Sequence, residues 1–599
     1  MVNLVARWSL PVILALLIHG HVAIGARAQV LNENPDSLVA VLGDLPGIQA
    51  LDDALDAEAR DRPGFVGWTA TTTRSTGNAP RLRTRLDLTG TNVSVRFDAE
   101  QDPSEPWLLR PADGRWGFDH AGAYAEWHPS RRWAIVFGDF RLAHGLGLVA
   151  SPPRLGRAAD DAFGLSRTGR IEAGSPAIRP YAGSDEDRYQ SGIAVTGIWN
   201  LLSLTGFRST RHLDAAPDSI QRENGSWHPV TRLRPAQDHA TPLGSGRRRR
   251  LQLISTGGLA ALSGSSFDVS ALVFTEHPDL DLLPDSRLPS DRFRRRVNVS
   301  MSARVRLGRF SWSGEGGWVG PHTAGSAFLR YQDRAVSLLA GWRRFSPEYA
   351  PLWASAPSFR SGVPGNEIGY TAAAQWRPDS GGPFRLVFDR GCRIRAEAAY
   401  SRAGCLDSAR IDARWRFFDW AVDAVTTWDR LREPDASGNR GPDRERFMIS
   451  AVATLEPADG AAVTVSTSLR RVETTEAVGL SGNDGPPYWS SKVAARIRWE
   501  VTPHVMVQTG LADFHVAESV MGLYQAGLAL TSTISTLSGD GNSIFATVTR
   551  TRSRLNWGAT LRRKRSRPVR PDGPETPRTD FEIGLHVGFT WTAGARRGT

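Results

Sequence analysis

Near the C-terminal end, Phe581, Ile583, Leu585, Val587, Phe589 and Trp591 alternate without a break with Glu582, Gly584, His586, Gly588, Thr590 and Thr592. A repeat of two residues places each set on its own face of a β-strand. One face is wholly apolar; the other is small or hydrophilic, as if it met water. A strand that crosses a bilayer at a tilt needs ~9–11 residues of this kind. A lone strand cannot cross lipid, because its unpaired backbone groups would face hydrocarbon, so the sheet has to close into a barrel. The alternative for this stretch alone is the edge strand of a soluble sandwich.

The same pattern recurs along the chain. Leu82, Thr84, Leu86 and Leu88 alternate with Arg81, Arg83, Arg85 and Asp87, and after a turn at Gly90–Asn92, Val93, Val95 and Phe97 alternate with Ser94, Arg96 and Asp98. Val297, Val299, Met301, Ala303, Val305 and Leu307 oppose Arg296, Asn298, Ser300, Ser302, Arg304 and Arg306. Ile411, Ala413, Trp415 and Phe417 oppose Asp412, Arg414 and Arg416, and Val493, Ala495, Ile497, Trp499 and Val501 oppose Lys492, Ala494, Arg496, Arg498 and Glu500. Soluble sandwich strands are usually ~5–6 residues long; several of these runs are about twice that.

The connections carry independent information. Short links at Thr89–Thr91, His128–Arg132, Trp199–Asn200, Ser263–Ser266, Gly308–Arg309, Asp333–Arg334, Pro457–Gly460 and Thr502–His504 interleave with long Pro/Gly/Asp-rich links such as Gly145–Asp187, Thr210–Gly246, Glu276–Arg292, Ser346–Asn366, Arg432–Arg444, Glu473–Pro487 and Arg562–Thr579. Membrane barrels have short turns on one side and long loops on the other. The expected fold is therefore an all-β, large closed antiparallel transmembrane barrel of about 24 strands, with 22–26 allowed. Keeping parity treats Phe384–Tyr400 as one long strand bent at Gly391, and puts both termini on the short-turn, periplasmic side.

Composition agrees with this fold class. Hydrophobic residues make up only 40%, and after the N-terminus no window holds the ~18 apolar residues of a membrane helix. A barrel gives that same hydropathy, since only alternate residues touch lipid. The 20 Trp suit girdles at the two interfaces. The formal net charge of +11 is carried almost entirely by Arg, with Lys only at Lys492 and Lys564. Arg binds carboxylate and phosphate in a planar, bidentate way, which fits a charged interior or contacts with lipopolysaccharide. The two cysteines, Cys392 and Cys405, would lie tens of ångströms apart along a straight strand at ~3.3 Å per residue. Free thiols are expected, and no metal site.

Residues 1–28 read as a cleaved secretory signal, with Arg7, an apolar run over Pro11–Ile18 and the small-x-small site Ala26-Arg27-Ala28. Residues 29–62 read as a periplasmic helical hairpin around the turn Leu45-Pro46-Gly47-Ile48. This hairpin is like a degenerate helix-hairpin-helix unit. Its flanking Asp44, Asp52, Asp53, Asp56 and Glu58 would repel a phosphate backbone, which argues against nucleic acid as a partner. The barrel would occupy residues 63–599.

Three stretches carry a family resemblance: Ala99–Pro106; Gly138-Asp139-Phe140-Arg141-Leu142-Ala143-His144-Gly145-Leu146-Gly147-Leu148; and Ile178–Tyr181 followed by Asp185–Tyr189. In order and spacing they resemble the helix-hairpin-helix-associated outer-membrane proteins of some bacteria. That resemblance implies a periplasmic hairpin unit ahead of a large barrel. The departures are Gln49 where the hairpin's second glycine is expected, and His144. Read from the residues alone, Gly138, Gly145 and Gly147 let backbone bend inward or approach closely. Two readings stay open: a constriction or plug loop over Gly145–Asp187, or a bulge at the rim with an interior ladder of ion pairs.

No catalytic constellation emerges. Asp119 and His120 are adjacent in one strand and point to opposite faces, and the other histidines are scattered. An enzyme is not expected, nor any cofactor. The expected function is a pore or transport protein of the outer membrane with an anion-favouring interior. Its lining would include Arg83, Arg85, Arg96, Asp139, Arg141, Arg296, Arg304, Arg306, Arg414, Arg416, Arg496 and Arg498. The alternative is a plugged, non-catalytic surface or envelope protein, with a role in DNA uptake as a third reading. Arg247, Arg248, Arg249 and Arg250 form a basic loop patch. Expected partners are outer-membrane lipid and lipopolysaccharide, the barrel-assembly machinery and small anionic solutes.

Overall fold

The computed structural model describes residues 65–592 apart from 76–80, 102–119, 152–177, 183–188, 222–226, 234–250, 284–293, 359–364, 396–403, 435–439, 475–487, 517–538 and shorter stretches of one to three residues. The secretory signal, the helical hairpin and the Arg247–Arg250 patch lie outside the described residues.

One sheet of 25 strands dominates. The three-residue strand Ile178–Pro180 pairs only with Phe140–Leu142. Setting it aside leaves 24 strands that form the wall, each antiparallel to the next in sequence. The wall closes on itself: Phe65–Ser75 pairs with Arg81–Thr89 on one side and with Arg578–Thr592 on the other, in the register Phe65↔Thr592 to Ser75↔Glu582. Closure leaves no unpaired wall edge. Strands range from the 9 residues of Arg81–Thr89 to the 19 of Arg440–Ala458.

Short and long links alternate around the ring, and both ends of the wall lie on the short-turn side. Gly320–Pro321, a tight turn with Gly320 at φ 59°, is a two-residue link on the otherwise long-link side. Long links add small sheets of their own, including Ala215–Gln221, Trp227–Leu233 and Leu282–Leu283.

The expected single strand Phe384–Tyr400 is one strand, as parity required, but it ends earlier, at Arg393. Phe384–Arg393 ends, the chain reverses, and Cys405–Phe417 runs back beside it, with Cys392 and Cys405 as direct register partners. Their Cα atoms are 4.0 Å apart and their sulfurs form a disulfide. The expectation of free thiols is thereby corrected: distance measured along a straight strand does not apply across a hairpin.

The two faces differ as alternation demands. On Phe267–Pro278, Val269 and Val273 are nearly half exposed, while Ser270, Leu272, Phe274 and Glu276 are buried. The exposed rows are the outer surface. Trp127, Trp133, Trp199, Trp376, Trp415 and Trp499 stand on it within a few residues of the short turns, and Trp133 and Trp199 meet edge to face at 5.3 Å. The inner face is not polar throughout. Phe140, Phe207, Leu259, Leu272, Phe274 and Phe345 form an apolar core inside the barrel with residues from four long links, among them Leu148, Ala215, Leu282 and Tyr349. Each buried side chain of this size contributes about 1.5–3 kcal/mol, and together they fasten the links to the wall.

Candidate functional site

The site begins at a bend in the strand Trp133–Leu142. Gly138 sits at φ 90°, and a Cβ there would lie 2.2 Å from the Ala123 carbonyl oxygen, so only glycine fits. Register with His120–Ser130 stops at this point, and the Asp139 carboxylate accepts the Ala123 amide at 2.9 Å. Phe140 and Leu142 continue into the interior core.

From Ala143 to Ser151 the chain lies on the inner wall. Gly145 and Gly147, at φ 53° and 90°, make its tight turns. The Gly147 amide donates to the His144 carbonyl at 3.0 Å, and the His144 amide donates to the Ala150 carbonyl at 3.0 Å. The His144 ring fits between two wall hydroxyls, Ser300 at 3.0 Å and Ser270 at 2.9 Å. Glu315, on the strand Phe310–Val319, is the anchor. Its buried carboxylate accepts the amides of Leu146 and Leu148, the latter at 3.2 Å, and the Ser300 hydroxyl. Hydrogen bonds to an ionised acceptor are roughly twice as strong as neutral ones. Leu146 reaches further, packing with Phe328, Leu339, Ala373 and Val387.

A second link, after Val336–Phe345, locks over the first. The Tyr349 hydroxyl donates to the Leu148 carbonyl at 2.9 Å, and the Ser151 amide donates to the Trp353 carbonyl at 2.9 Å beside a parallel bridge between Ala150 and Trp353. Burial, with the Glu315 charge acting in the same direction, pushes the Tyr349 hydroxyl well above its ordinary pKa. Arg296 ties this link to the wall, donating to the Ala350 carbonyl at 2.9 Å and to Glu276 at 2.8 and 3.0 Å. Nearby, Arg343 is fully buried, bidentate to Asp389 at 2.6 and 3.0 Å and bonded to Glu367 and Thr371. Gly369, its register partner, leaves the space its guanidinium occupies.

Among the described residues, the inward links rest on the arc of wall from Trp133 to Arg393, where Glu276, Arg296, Glu315, Arg343, Glu367 and Asp389 are buried and paired in place. The remaining arc differs. Arg414 and Asp423 are 54% and 43% exposed while paired at 3.1 Å, and Arg498 and Glu500 are 52% and 44% exposed at 3.0 Å. Arg416 is exposed and Arg496 half-buried on the same inward face.

The other expected lining residues fall into pairs. Arg83 and Arg85 converge on Asp98, and Arg96 pairs with Asp87. Arg306 pairs with Asp268 at 3.1 Å, and Arg304 is the register partner of Asp268. Asp139 caps a wall amide, and Arg141 stacks on the Tyr181 ring at 3.7 Å. Glu315, Arg343 and Tyr349 were not among the expected residues. One signal did point to Glu315: it stands within Ser313-Gly314-Glu315-Gly316-Gly317, a lone acid among residues small enough to admit incoming backbone. A Cβ on Gly317 would meet the Tyr349 hydroxyl at 2.5 Å.

No family model matches the chain, and no curated protein matches it. Solved structures similar to it include the FrpB iron transporter from Neisseria meningitidis (TM-score 0.41, 10% identity, 90% of this chain and 83% of that one). The ferric yersiniabactin uptake receptor FyuA from Yersinia pestis is a second (0.41, 8%, 89% and 80%). The outer membrane protein opdK from Pseudomonas aeruginosa is a third (0.29, 10%, 57% and 94%).

Proposed function

We propose that this chain is an outer-membrane barrel that passes small anionic solutes through a lumen narrowed by its own links. The exposed apolar rows, edged by Trp at the short turns, support the membrane setting, since aromatic girdles mark bilayer interfaces. A barrel of about 24 strands is too wide for side chains alone to close, and the inward links among the described residues lie against one arc of the wall. One observation carries the anion preference: Arg414, Arg416, Arg496 and Arg498 face the interior and outnumber the two carboxylates paired with them, Asp423 and Glu500. An excess of one sign of charge along a pore favours the opposite ion.

The test is a planar-bilayer recording across a KCl gradient. The expected result is a reversal potential of the anion-selective sign, shifted toward zero in the quadruple Arg→Gln variant at these positions. A cation-selective wild type overturns the reading. A second reading, a closed barrel acting as a non-catalytic surface or envelope protein, is favoured by the burial of Glu315 and Tyr349 under the links. Absence of conductance steps in both wild type and a Glu315→Ala variant selects it.

A further inference from the structure

The two edges of the apolar outer surface differ. At the short-turn edge several outward rows end in Trp. At the long-link edge several end in Arg. Along Val336–Phe345 the outward residues run Leu338, Ala340, Trp342, then Arg344; along Phe384–Arg393 they run Phe384, Leu386, Phe388, then Arg390. Along Leu555–Arg567 the outward Trp557, Ala559 and Leu561 lead to Arg563. Exceptions among the described side chains include the exposed Arg550 at the turn edge and the exposed Trp318 at the long-link edge.

The register concentrates these residues. Trp342, Tyr370, Arg390, Asp407, Arg430 and Glu445 are successive partners across six neighbouring strands, so they form one row on the outer face. Arg432 lies two residues further toward the long links. Asp407 is nearly buried and holds two guanidiniums: Arg390 at 3.5 Å and Arg432 at 3.1 Å. Those two arginines remain 48% and 46% exposed. Two aromatic side chains with exposed faces, Trp342 and Tyr370, adjoin them.

We infer that this row is a binding site for the phosphate group of an anionic lipid in the leaflet on the long-link side. The inference rests on the membrane reading above. Guanidinium groups form paired hydrogen bonds to phosphate oxygens, while acyl chains would lie along the apolar rows Phe384–Phe388 and Leu338–Trp342, and the aromatic rings suit the interfacial depth.

The test uses the full chain in phosphatidylcholine nanodiscs, doped with bisphosphorylated lipid A or with its dephosphorylated form, and reads lipid retained by native mass spectrometry. Failure to enter nanodiscs at all counts against the membrane reading and is scored before lipid is compared. The expected result is at least tenfold greater retention of the phosphorylated form. Arg390→Gln with Arg432→Gln removes that preference, while Asp407→Asn, which adds net positive charge, keeps or increases it. Inorganic phosphate at millimolar concentration does not compete. Equal retention of the two lipids, an unchanged double variant, loss of preference in Asp407→Asn, or full competition by inorganic phosphate overturns the inference. Unchanged β-sheet circular dichroism and heat-modifiable gel mobility establish that each variant is folded.

Discussion

Glu315 accepts the backbone amide of Leu148 at 3.2 Å from a position 167 residues further along the chain. A wall carboxylate therefore decides where an inward link rests. Replacing it with Ala leaves the Leu146 and Leu148 amides and the Ser300 hydroxyl without their acceptor. Unmet buried donors cost about 1–3 kcal/mol each. The expected outcome is a link that leaves the wall: larger and noisier single-channel conductance than wild type. Glu315→Gln is expected to fall between the two.

The clamp on Leu148 is also expected to respond to alkali. The Tyr349 hydroxyl is held above its ordinary pKa by burial, so its folded value exceeds its unfolded one. The stability it supplies is complete below an unfolded pKa of about 10 and declines as pH rises beyond it. Conductance should increase above about pH 10 in wild type. Tyr349→Phe, which cannot ionise, should show a flatter response with a higher starting level, because it also lacks the bond to Leu148.

Arg343 balances Asp389 and Glu367 inside the wall. Removing one partner from a buried ionic group leaves the other charges uncompensated, at about 3–5 kcal/mol. Arg343→Met is expected to lower the urea midpoint of barrel unfolding, and adding Asp389→Asn and Glu367→Gln should recover part of that loss. A strictly additive triple variant would contradict the coupling.

The Cys392–Cys405 bridge closes a link of 13 positions. Loop-closure entropy for that length corresponds to about 3 kcal/mol. The double Ser variant should still form the barrel, since neither cysteine contributes to wall pairing through its side chain. It should lose the mobility difference between reducing and non-reducing gels and unfold at lower urea.

Alternation made the wall legible before any coordinates. Val297–Leu307 and Ile411–Phe417 show their facing in the order of residue types alone, because each side chain answers to lipid or lumen independently of its neighbours. Link lengths then set the strand number. The point of reversal after Arg393 was not legible, because Ile394–Tyr400 continues the alternation of the strand beyond it. The interior clamp was missed for a different reason. Glu315 and Tyr349 act on a segment remote in sequence, and a single acid or phenol carries no periodic signal. The glycines around Glu315 and at Gly138 recorded that close approach, but not the identity of the segment approaching.

The partnership of Phe65–Ser75 with Arg578–Thr592 has a temporal consequence. The seam joins the earliest and latest strands of the wall, so no portion of the chain emerging first can complete the ring by itself. Until the last strand arrives, both raw borders stand open to any other strand in the vicinity. Whatever chaperones this polypeptide has to shield two sticky margins for the entire period between export and the final zip.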